Sequence, residues 1–301
     1  MDLKQLLSDC TLCPRECHVN RTQGEKGYCR ASEELVVARA SLHMWEEPCI
    51  SGEEGSGTVF FSGCAMGCVY CQNHNIARGE AGKKITIERL SDIFLELQRK
   101  GANNINLVTP SHYVPQIIEA IKTAKYKGLL LPIVYNSSAY EKVETLRLLD
   151  GYVDVYLPDL KYMEAEPADR YSNCGNYFSF ASNAIQEMVR QIGEPIFNEK
   201  DIMTKGVIIR HLTLPEQLED SKNIIKYLYD TYGNRIYISI MNQYTPMPEV
   251  LHFPEINRTI SEVEYEELIN YAIEIGVEHG FIQDGTTASE SFIPEFNEEG
   301  V

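Results

Sequence analysis

The chain lacks hydrophobic runs of membrane-spanning length, since no window approaches eighteen consecutive apolar residues. Its first residues, Met1–Gln5, also lack the charged-then-apolar pattern of a secretory signal, so we expect a cytoplasmic protein with no membrane association. Internal repeats and low-complexity linkers are absent as well. These absences favour an ordinary globular protein over the repeat, membrane and secreted classes.

Positive charge is scarce: the chain has 27 Lys and Arg but 44 Asp and Glu, a formal net charge of −17. A surface of this sign repels a phosphate backbone and removes the attraction that dominates nucleic-acid affinity. Intact RNA or DNA is therefore a disfavoured partner, whereas a free base or nucleoside carries too little charge for this argument to apply. Solubility explains the acidic balance equally well.

Cysteine, by contrast, is plentiful, with nine in 301 residues and most of them clustered at short spacings. In a chain without a secretory signal, such clusters indicate metal ligation rather than disulfides. The remaining composition, 44% apolar and 24% charged, is typical of globular proteins. The length allows one large core and one small appended lobe.

Three cysteines, Cys64, Cys68 and Cys71, are spaced C-x3-C-x2-C directly after the apolar run Thr58–Phe61. Three thiolates can hold three irons of a four-iron cluster, and the missing fourth ligand leaves one iron open for chemistry. A zinc knuckle is the alternative, but only His74 stands nearby to complete it. We therefore predict a catalytic iron–sulfur cluster at these three residues.

Four more cysteines precede this loop: Cys10, Cys13, Cys17 and Cys29. Four thiolates complete a tetrahedral metal or cluster shell with no open position. Zinc and a second iron–sulfur cluster both fit the sequence, either as a structural staple for a small lobe or as an electron relay. The single cysteines Cys49 and Cys174 are expected to be buried and inert, although Cys49 precedes the first predicted strand and can approach the site.

Short β-branched runs alternate with helical patterns from Thr58 onward. The predicted strands are Thr58–Phe61, Ile105–Val108, Leu131–Tyr135, Val153–Leu157, Val207–Arg210 and Ile236–Ile240. Apolar spacing predicts helices over residues 87–97 and 117–124, and a capping-box pattern at Ser261–Glu264 begins another. Near-continuous apolar strands separated by single helices indicate parallel βαβ units, whose ligand sites gather at the carboxyl ends of the strands.

We therefore predict an α/β fold, a partial (β/α)6 barrel with a small Cys-rich N-terminal lobe. The expected division is a metal-binding lobe at residues 1–50, the barrel at 51–285 and a C-terminal tail at 286–301 that wraps the surface or frays. The roughly fifty residues before the first predicted strand are enough to cover one mouth of the barrel. Such a lid would protect a reactive intermediate from water and oxygen.

The cysteine loop, with the aromatic Tyr70 before its last Cys, resembles that of the radical S-adenosylmethionine (SAM) superfamily. Within it, the chain most resembles the pyruvate formate-lyase activating-enzyme-like proteins. The stretches that carry this resemblance are Cys10–Cys29, Glu46–Asn73, Asn103–Pro115, Leu131–Tyr140, Tyr156–Tyr162, Gly206–Leu214 and Met241–Tyr244. It implies a six-unit partial barrel, a 4Fe–4S cluster whose open iron is chelated by SAM, and a low-potential donor such as flavodoxin or ferredoxin. Reduction of SAM would release methionine and a deoxyadenosyl radical that removes a hydrogen atom from the substrate.

The resemblance also places SAM-binding residues. Tyr70 would lie beside the adenine. Many members contact the SAM amino group with a Gly-Gly-Glu stretch after the second strand, where this chain has Thr109-Pro110-Ser111-His112 instead. Thr109 or Ser111 is the expected source of an oxygen for that contact, and His112 is either a site residue or a solvated loop residue.

Polar residues near the third and fourth predicted strands complete the predicted site for the amino and carboxylate groups of SAM and for its ribose. Asn136 and Ser137 suit ribose hydroxyls, the alternative being an N-cap for a helix starting near Ala139. Asp159 and Lys161 stand two apart on an extended segment and so point to one side, unless they form only a surface ion pair. As in glycyl-radical activating enzymes with the same Asp-Leu-Lys, Lys161 would meet the SAM carboxylate and Asp159 an amino group.

The fifth and sixth strands contribute Arg210 and Gln243. A charged residue that ends an apolar run is rarely unpaired, and the Arg210 guanidinium can hold a carboxylate bidentately. Gln243 offers an amide to the cofactor or the substrate. Lys161 and Arg210 are therefore the predicted catalytic residues, and both are also predicted to bind the cofactor.

Three functions remain open at this stage. The activating-enzyme-like proteins include queuine lyases, which cut queuine back to its 7-aminomethyl-7-deazaguanine core for salvage, and the polar strand ends suit such a small base. The alternative is a glycyl-radical activating enzyme, which acts on a glycine of a protein. A non-catalytic iron–sulfur electron carrier is the third, and the Asp-Leu-Lys segment together with the six-unit barrel argues against it.

Overall fold

Ten strands build one sheet in the computed structural model, which describes residues 5–283 and 294–301. The strands are β1 Leu35–His43, β2 Ser56–Phe61, β3 Lys83–Ile85, β4 Ile105–Val108, β5 Ile133–Ser137, β6 Val155–Pro158, β7 Ile196–Phe197, β8 Met203–Leu212, β9 Tyr237–Met241 and β10 Gly280–Ile282. Their order is β10-β9-β8-β6-β5-β4-β2-β1-β3, with the short β7 beside β8.

The strands from β2 to β10 in this order are mutually parallel, whereas β1 runs antiparallel to both of its neighbours. The six strands predicted from the sequence correspond to β2, β4, β5, β6, β8 and β9, with ends that differ by a few residues. In the described residues the sheet ends at β10 and β3 without closing on itself. The predicted α/β fold, a partial barrel, is therefore confirmed.

The sheet begins earlier in the chain than the sequence indicated. Strand β1 lies within the segment 1–50 that was assigned to the N-terminal lobe, and it pairs with β2 from Val37–Phe61 to His43–Ser56. Its apolar pattern is broken by the partly exposed Arg39, which is why periodicity did not reveal it. The lobe that precedes the sheet thus ends before Leu35.

Helices pack on the sheet or lie in the loops that connect its strands. Those of the described residues are α1 Gln5–Ser8, α2 Pro48–Ser51, α3 His74–Ala77, α4 Ile87–Arg99, α5 Val114–Tyr126, α6 Val143–Arg147, α7 Ala165–Ser172, α8 Tyr177–Ile192, α9 Leu218–Tyr232 and α10 Glu262–Glu274. The predicted helices correspond to α4, α5 and α10, and the capping box of Ser261 and Glu264 is present. No helix among the described residues is long and apolar enough to cross a membrane.

The apolar core lies between this sheet and the helices. Every residue of β2, β4, β5 and β6 is buried, as expected for parallel strands covered on both faces. Helix α4 buries Leu90, Ile93, Phe94 and Leu97, which share one face of the helix. Because the strands are buried along their length, a ligand can reach only the polar side chains at their ends.

The described end of the chain wraps along the sheet, one of the two outcomes expected for the tail. The backbone of Ala40 in β1 donates to Glu299, and that of Glu298 donates to Ala38. The Phe296 ring packs edge-on against Phe60, 5.4 Å between centroids. The part of the predicted tail before Pro294 lies outside the described residues.

The carboxyl group of Glu141 is buried, and its hydrogen-bond partners among the described residues are uncharged. Glu141 accepts hydrogen bonds from the hydroxyl groups of Ser111 and Tyr135, and desolvation raises its pKa to about 7. Its second oxygen is buried and lacks a hydrogen-bond partner. The folded protein therefore favours the protonated acid, which an unfolded chain would ionise near pH 4.5.

We expect the free energy of unfolding to fall by on the order of 3 kcal/mol between pH 4.5 and 7 because of this group. Over that window the unfolded chain loses the Glu141 proton while the folded chain keeps it. Glu141→Gln should remove this part of the pH dependence, as measured by denaturant unfolding under anaerobic conditions. The exposed Glu144→Gln provides the control, and an unchanged pH slope in Glu141→Gln would contradict the assignment.

Candidate active site and metal centre

A cavity of about 350 Å³ opens at the carboxyl ends of the parallel strands. It collects most of the residues that the sequence singled out: Cys64, Cys68, Tyr70, Cys71, Thr109, Asn136, Ser137, Asp159, Lys161, Arg210 and Gln243. Ser111 is not among the residues that line it, because its hydroxyl is directed to the buried Glu141. The edge of the sheet, rather than any single segment, therefore forms the site.

The loop after β2 presents the three cysteines to this cavity. Cys64, Cys68 and Cys71 are partly buried and free of disulfides. Burial raises the pKa of Cys71 to about 12, with neighbouring Cys68 and Cys64 adding to the shift, so a bound cation is needed to hold Cys71 as a thiolate. The C-x3-C-x2-C spacing of these residues fits a cluster that takes one thiolate at each of three irons.

A glycine and a histidine fix the start of this loop. Gly63 has φ +100°, and a Cβ there would collide with the Cys29 carbonyl and lie 3.1 Å from His112 Nε2. His112 Nε2 is 2.8 Å from the Ser62 carbonyl oxygen, and burial, aided by the charge of Arg21, lowers the pKa of His112 to about 3. His112 is thus a buried neutral donor that supports the loop, not a solvated loop residue.

Lys161 and Asp159 form an ion pair at the cavity wall, with 2.8 Å between Lys161 Nζ and Asp159 Oδ2. Burial lowers the pKa of Lys161, but Asp159 and the nearby Cys68 outweigh it and the net shift is upward. The ammonium group therefore stays charged close to the loop that carries Cys64, Cys68 and Cys71, here called the cluster loop. The pair is mostly buried, which excludes the alternative of a surface ion pair.

A chain of hydroxyl groups that the sequence did not reveal leads to Cys68. The Ser172 hydroxyl donates to Cys68 Sγ over 2.9 Å, which leaves its oxygen to accept from Tyr162 at 2.9 Å. The Tyr162 oxygen in turn accepts from Tyr70, 2.6 Å away. Tyr70 also packs edge to face against Tyr244, with 67° between the ring planes. These hydrogen-bonded hydroxyl groups hold Tyr70 in the cavity wall and give Cys68 Sγ a hydrogen-bond donor.

Arg210 is already paired within the chain. Its guanidinium donates to both oxygens of Glu47, at 2.8 and 2.6 Å, and also to Glu46. Burial opposes ionisation of Glu47, but Arg210 outweighs it and lowers the pKa of the carboxyl. Asn106 donates to the other oxygen of Glu46 at 2.8 Å. The bidentate carboxylate predicted for Arg210 is therefore Glu47, and the two glutamates are wall residues that sequence reasoning missed.

The ends of β4, β5 and β9 supply the remaining polar wall. Thr109 has φ +56°, a conformation that costs free energy for a β-branched residue and is typical of functional sites. The Ser137 hydroxyl accepts from the backbone of Ala139, and helix α6 begins only at Val143, so no helix starts near Ala139. Gln243 accepts a hydrogen bond from Gln283 at 3.1 Å.

The other cysteines lie away from the cavity. Cys10, Cys13 and Cys29 are buried and Cys17 is partly buried, all in the lobe that precedes β1. Cys49 is buried in a second apolar cluster with residues of β5, β6 and β8, where desolvation raises its pKa to about 12. It does not reach the cavity, and the expectation that it is inert fits this position.

The comparisons with known proteins agree with this geometry. A model of the radical SAM superfamily matches residues 58–192. The uncharacterized protein MJ0674 of Methanocaldococcus jannaschii is 31% identical over 277 residues, covering 89% of this chain and 75% of that protein.

Three solved structures share the fold at low identity. Streptococcus suis SuiB bound to S-adenosylmethionine has a TM-score of 0.51 at 12% identity, covering 74% of this chain and 49% of SuiB. Methylornithine synthase PylB has 0.50 at 16%, covering 70% and 59%. HydG, a maturase of the FeFe-hydrogenase, has 0.51 at 15%, covering 73% and 48%. The chain thus spans about half the length of these structures.

The chain therefore contains a radical SAM superfamily domain at residues 58–192 and belongs to the same family as MJ0674. The superfamily domain implies an enzyme with a 4Fe–4S cluster and SAM as its cofactors.

Proposed function

We propose that this enzyme cleaves SAM reductively and acts on a small molecule held in the cavity, with queuine as the best-named candidate. The observation that carries the proposal is that one cavity combines three thiols free of disulfides, the charged Lys161–Asp159 pair and a polar wall. That wall, here called the far wall, consists of Glu46, Glu47 and Arg210. In this reading the protein is a pyruvate formate-lyase activating-enzyme-like protein of the queuine lyase subgroup. It works in the cytoplasm with flavodoxin or ferredoxin as its donor.

Cys64, Cys68 and Cys71 would hold the cluster, and each strand end has a role toward SAM. A reduced cluster held there would supply one electron to the sulfonium of SAM, and the carbon–sulfur bond would break to give methionine and a deoxyadenosyl radical. Lys161 is placed to hold the SAM carboxylate and Asp159 its amino group, with Thr109 as a further oxygen. The other predicted contacts are Asn136 and Ser137 with the ribose, Tyr70 with the adenine, and Gln243 with cofactor or substrate.

The substrate class follows from the charge of the far wall. Glu46 and Glu47 bring two negative charges and Arg210 one positive charge, so this group of three is net negative. Such a wall disfavours anionic substrates and suits a neutral or cationic base that donates hydrogen bonds. In this arrangement Arg210 acts by positioning the two carboxylates rather than by binding the SAM carboxylate.

A second candidate, activation of a glycyl-radical enzyme, is favoured by one observation. Trp45 and Ile282 line the cavity and yet are 61% and 59% exposed. Large apolar side chains at a cavity mouth offer a contact surface to an entering loop of another protein.

The described N-terminal residues pack on the cluster loop and on β4–α5, so the predicted lid over the mouth has no support from their contacts.

The first prediction is that Cys64→Ala, Cys68→Ala and Cys71→Ala each reduce deoxyadenosine formation from SAM to background. Each change removes one of the three protein ligands that the cluster requires. The assay is anaerobic, with dithionite as the reductant and mass spectrometry of the products. Cys49→Ala is the matched control, since that thiol is buried outside the cavity, and SAM cleavage at the wild-type rate in any of the three variants would refute the assignment.

The second prediction concerns the reduction potential of this cluster. Ser172→Ala removes the hydrogen bond to Cys68 Sγ and so destabilises the more negative, reduced state. We expect the potential to fall by about 40 mV, which corresponds to about 1 kcal/mol for one electron. The measurement is a redox titration followed by electron paramagnetic resonance. Tyr162→Phe keeps the serine donor and should shift the potential less, so equal shifts would argue against the hydrogen bond as the cause.

The third prediction addresses the substrate. Reduced enzyme and SAM incubated with queuine should consume queuine and release its deazaguanine core, as detected by mass spectrometry. Glu47→Gln should raise KM for queuine more than it changes the uncoupled cleavage of SAM, because it removes a negative charge and a partner of Arg210 from the far wall and leaves the predicted cluster and SAM ligands in place. If queuine is untouched while a glycyl-radical protein gains an organic radical signal, the activating-enzyme function is correct instead.

A further inference from the structure

The segment between β1 and β2 brings three titratable side chains to the cavity. Strand β1 ends at His43 and β2 begins at Ser56, and His43, Glu46 and Glu47 all line the cavity. The side chains of the two glutamates are only 7% and 6% exposed. No contact with SAM is predicted for any of the three residues, so they are available to a substrate.

The two carboxylates of the far wall differ in how many acceptor positions are already filled. Both oxygens of Glu47 accept from Arg210, and Glu47 has further hydrogen bonds with Ser239 and with its own backbone N–H. In the part of the chain that the structure describes, Glu46 accepts one hydrogen bond from Asn106 at 2.8 Å and one from Arg210, each at a different oxygen. A carboxylate can accept about four hydrogen bonds, so Glu46 keeps a free position at each oxygen. Glu46 is therefore the carboxylate that can receive a donor from a ligand.

The charges near this carboxylate do not cancel. Asp159, which follows β6, forms a β-bridge with Arg210 of β8 and is paired with Lys161. With Glu46 and Glu47 added, the group holds three negative charges and two positive ones. All five side chains are mostly buried, where an uncompensated charge is costly. A ligand that carries one positive charge would therefore be stabilised here, and an anion would be repelled.

His43 adds a neutral acceptor beside Glu46. Its ring meets Phe60 edge-on, with 6.1 Å between the centroids. Burial lowers the pKa of His43 and outweighs the opposing charge of Glu46, with Arg210 and Arg39 adding to the lowering. The imidazole is therefore uncharged at neutral pH and has one donor and one acceptor nitrogen. Among the described residues none hydrogen-bonds to the ring, so the acceptor nitrogen can take a hydrogen bond from a donor in the cavity.

We propose that Glu46 and His43 bind a protonated amine of the substrate. The amine would donate hydrogen bonds to the free positions of the Glu46 carboxylate and to the acceptor nitrogen of His43. Asn106 and Arg210 act as positioning residues, because they hold the two oxygens of Glu46. This role rests on the proposed function, and it narrows the substrate class from a neutral or cationic base to one that carries an ammonium group. Queuine belongs to this class because its core retains a basic aminomethyl group.

An anionic substrate is the main competitor, because Arg210 could exchange Glu46 for a carboxylate of the ligand. That exchange would leave Glu46 buried without its cation and add a further negative charge beside Glu47. Both changes are unfavourable in a mostly buried site. An ammonium ligand, by contrast, can bind without breaking an existing ion pair.

The test uses three 7-substituted 7-deazaguanines that differ in the charge of the substituent. They carry an aminomethyl, a cyano or a carboxyl group, which is cationic, neutral or anionic at pH 7. Binding to the anaerobically reconstituted enzyme is measured by equilibrium dialysis with SAM present and without a reductant, so that no turnover occurs. The aminomethyl compound should bind at least about tenfold more tightly than the cyano compound, and the carboxyl compound should bind most weakly.

Variants of Glu46 and His43 test the two proposed contacts. Glu46→Gln should weaken binding of the aminomethyl compound about tenfold and leave that of the cyano compound within about twofold, which also shows that the cavity is intact. Glu46→Asp retains the charge and should recover part of the preference for the amine. His43→Phe removes the acceptor nitrogen and should weaken amine binding about threefold. Glu144→Gln is the matched control, since it removes the same charge from an exposed position.

Three results would overturn the amine site: equal affinities for the three compounds in the wild type, tightest binding of the carboxyl compound, or an unchanged preference for the amine in Glu46→Gln. Absence of measurable amine binding to the wild type would overturn it as well. If Glu46→Gln also loses the cyano compound, Glu46→Asp and His43→Phe decide, and an undiminished preference for the amine in both would refute the site.

The proposed function can fail separately. If the amine binds in a Glu46-dependent way while reduced enzyme and SAM leave queuine untouched, the lyase activity is wrong and the amine site stands. If queuine is consumed with the same KM by the wild type and by Glu46→Gln, the activity stands and the amine site is wrong.

Discussion

The site depends on keeping three thiols ionisable at the edge of a buried sheet. Burial raises the pKa of Cys68 and Cys71, so the protein alone disfavours the thiolates that a cluster needs. Lys161 lowers the pKa of Cys68, and the Ser172 hydroxyl donates to the same sulfur. These groups offset only part of the free-energy cost of ionising the buried thiols. The bound irons must supply the rest, so we expect the thiols to ionise as the metal binds.

The loop is held from several directions because a flexible loop could not keep three sulfurs in register. His112 supports the strand that enters it, and Gly63 allows the lobe to approach without a side chain between them. Arg15 and Tyr28 then satisfy carbonyl groups within the loop. The lobe is thus part of the site, although it lies outside the span that the superfamily model matches.

Several site residues could be predicted from the chain because parallel strands bring their carboxyl ends to one edge. This rule alone placed Thr109, Asn136, Asp159 and Gln243 in one cavity. Ser111 shows its limit. Two residues after Thr109 the backbone has turned into a short helical segment, and the serine faces the buried Glu141 instead of the cavity.

The sequence by itself determined the parallel sheet and the three-cysteine loop, because strand periodicity and ligand spacing are local properties. It did not determine that Arg210 is occupied by Glu47, that Ser172 reaches Cys68, or that Arg15 clamps the cluster loop. In each case the partners are separated by more than a hundred residues, or by fifty for Arg15 and Ala65. Such contacts depend on which strand ends and loops the fold brings together, so only the tertiary structure could decide them.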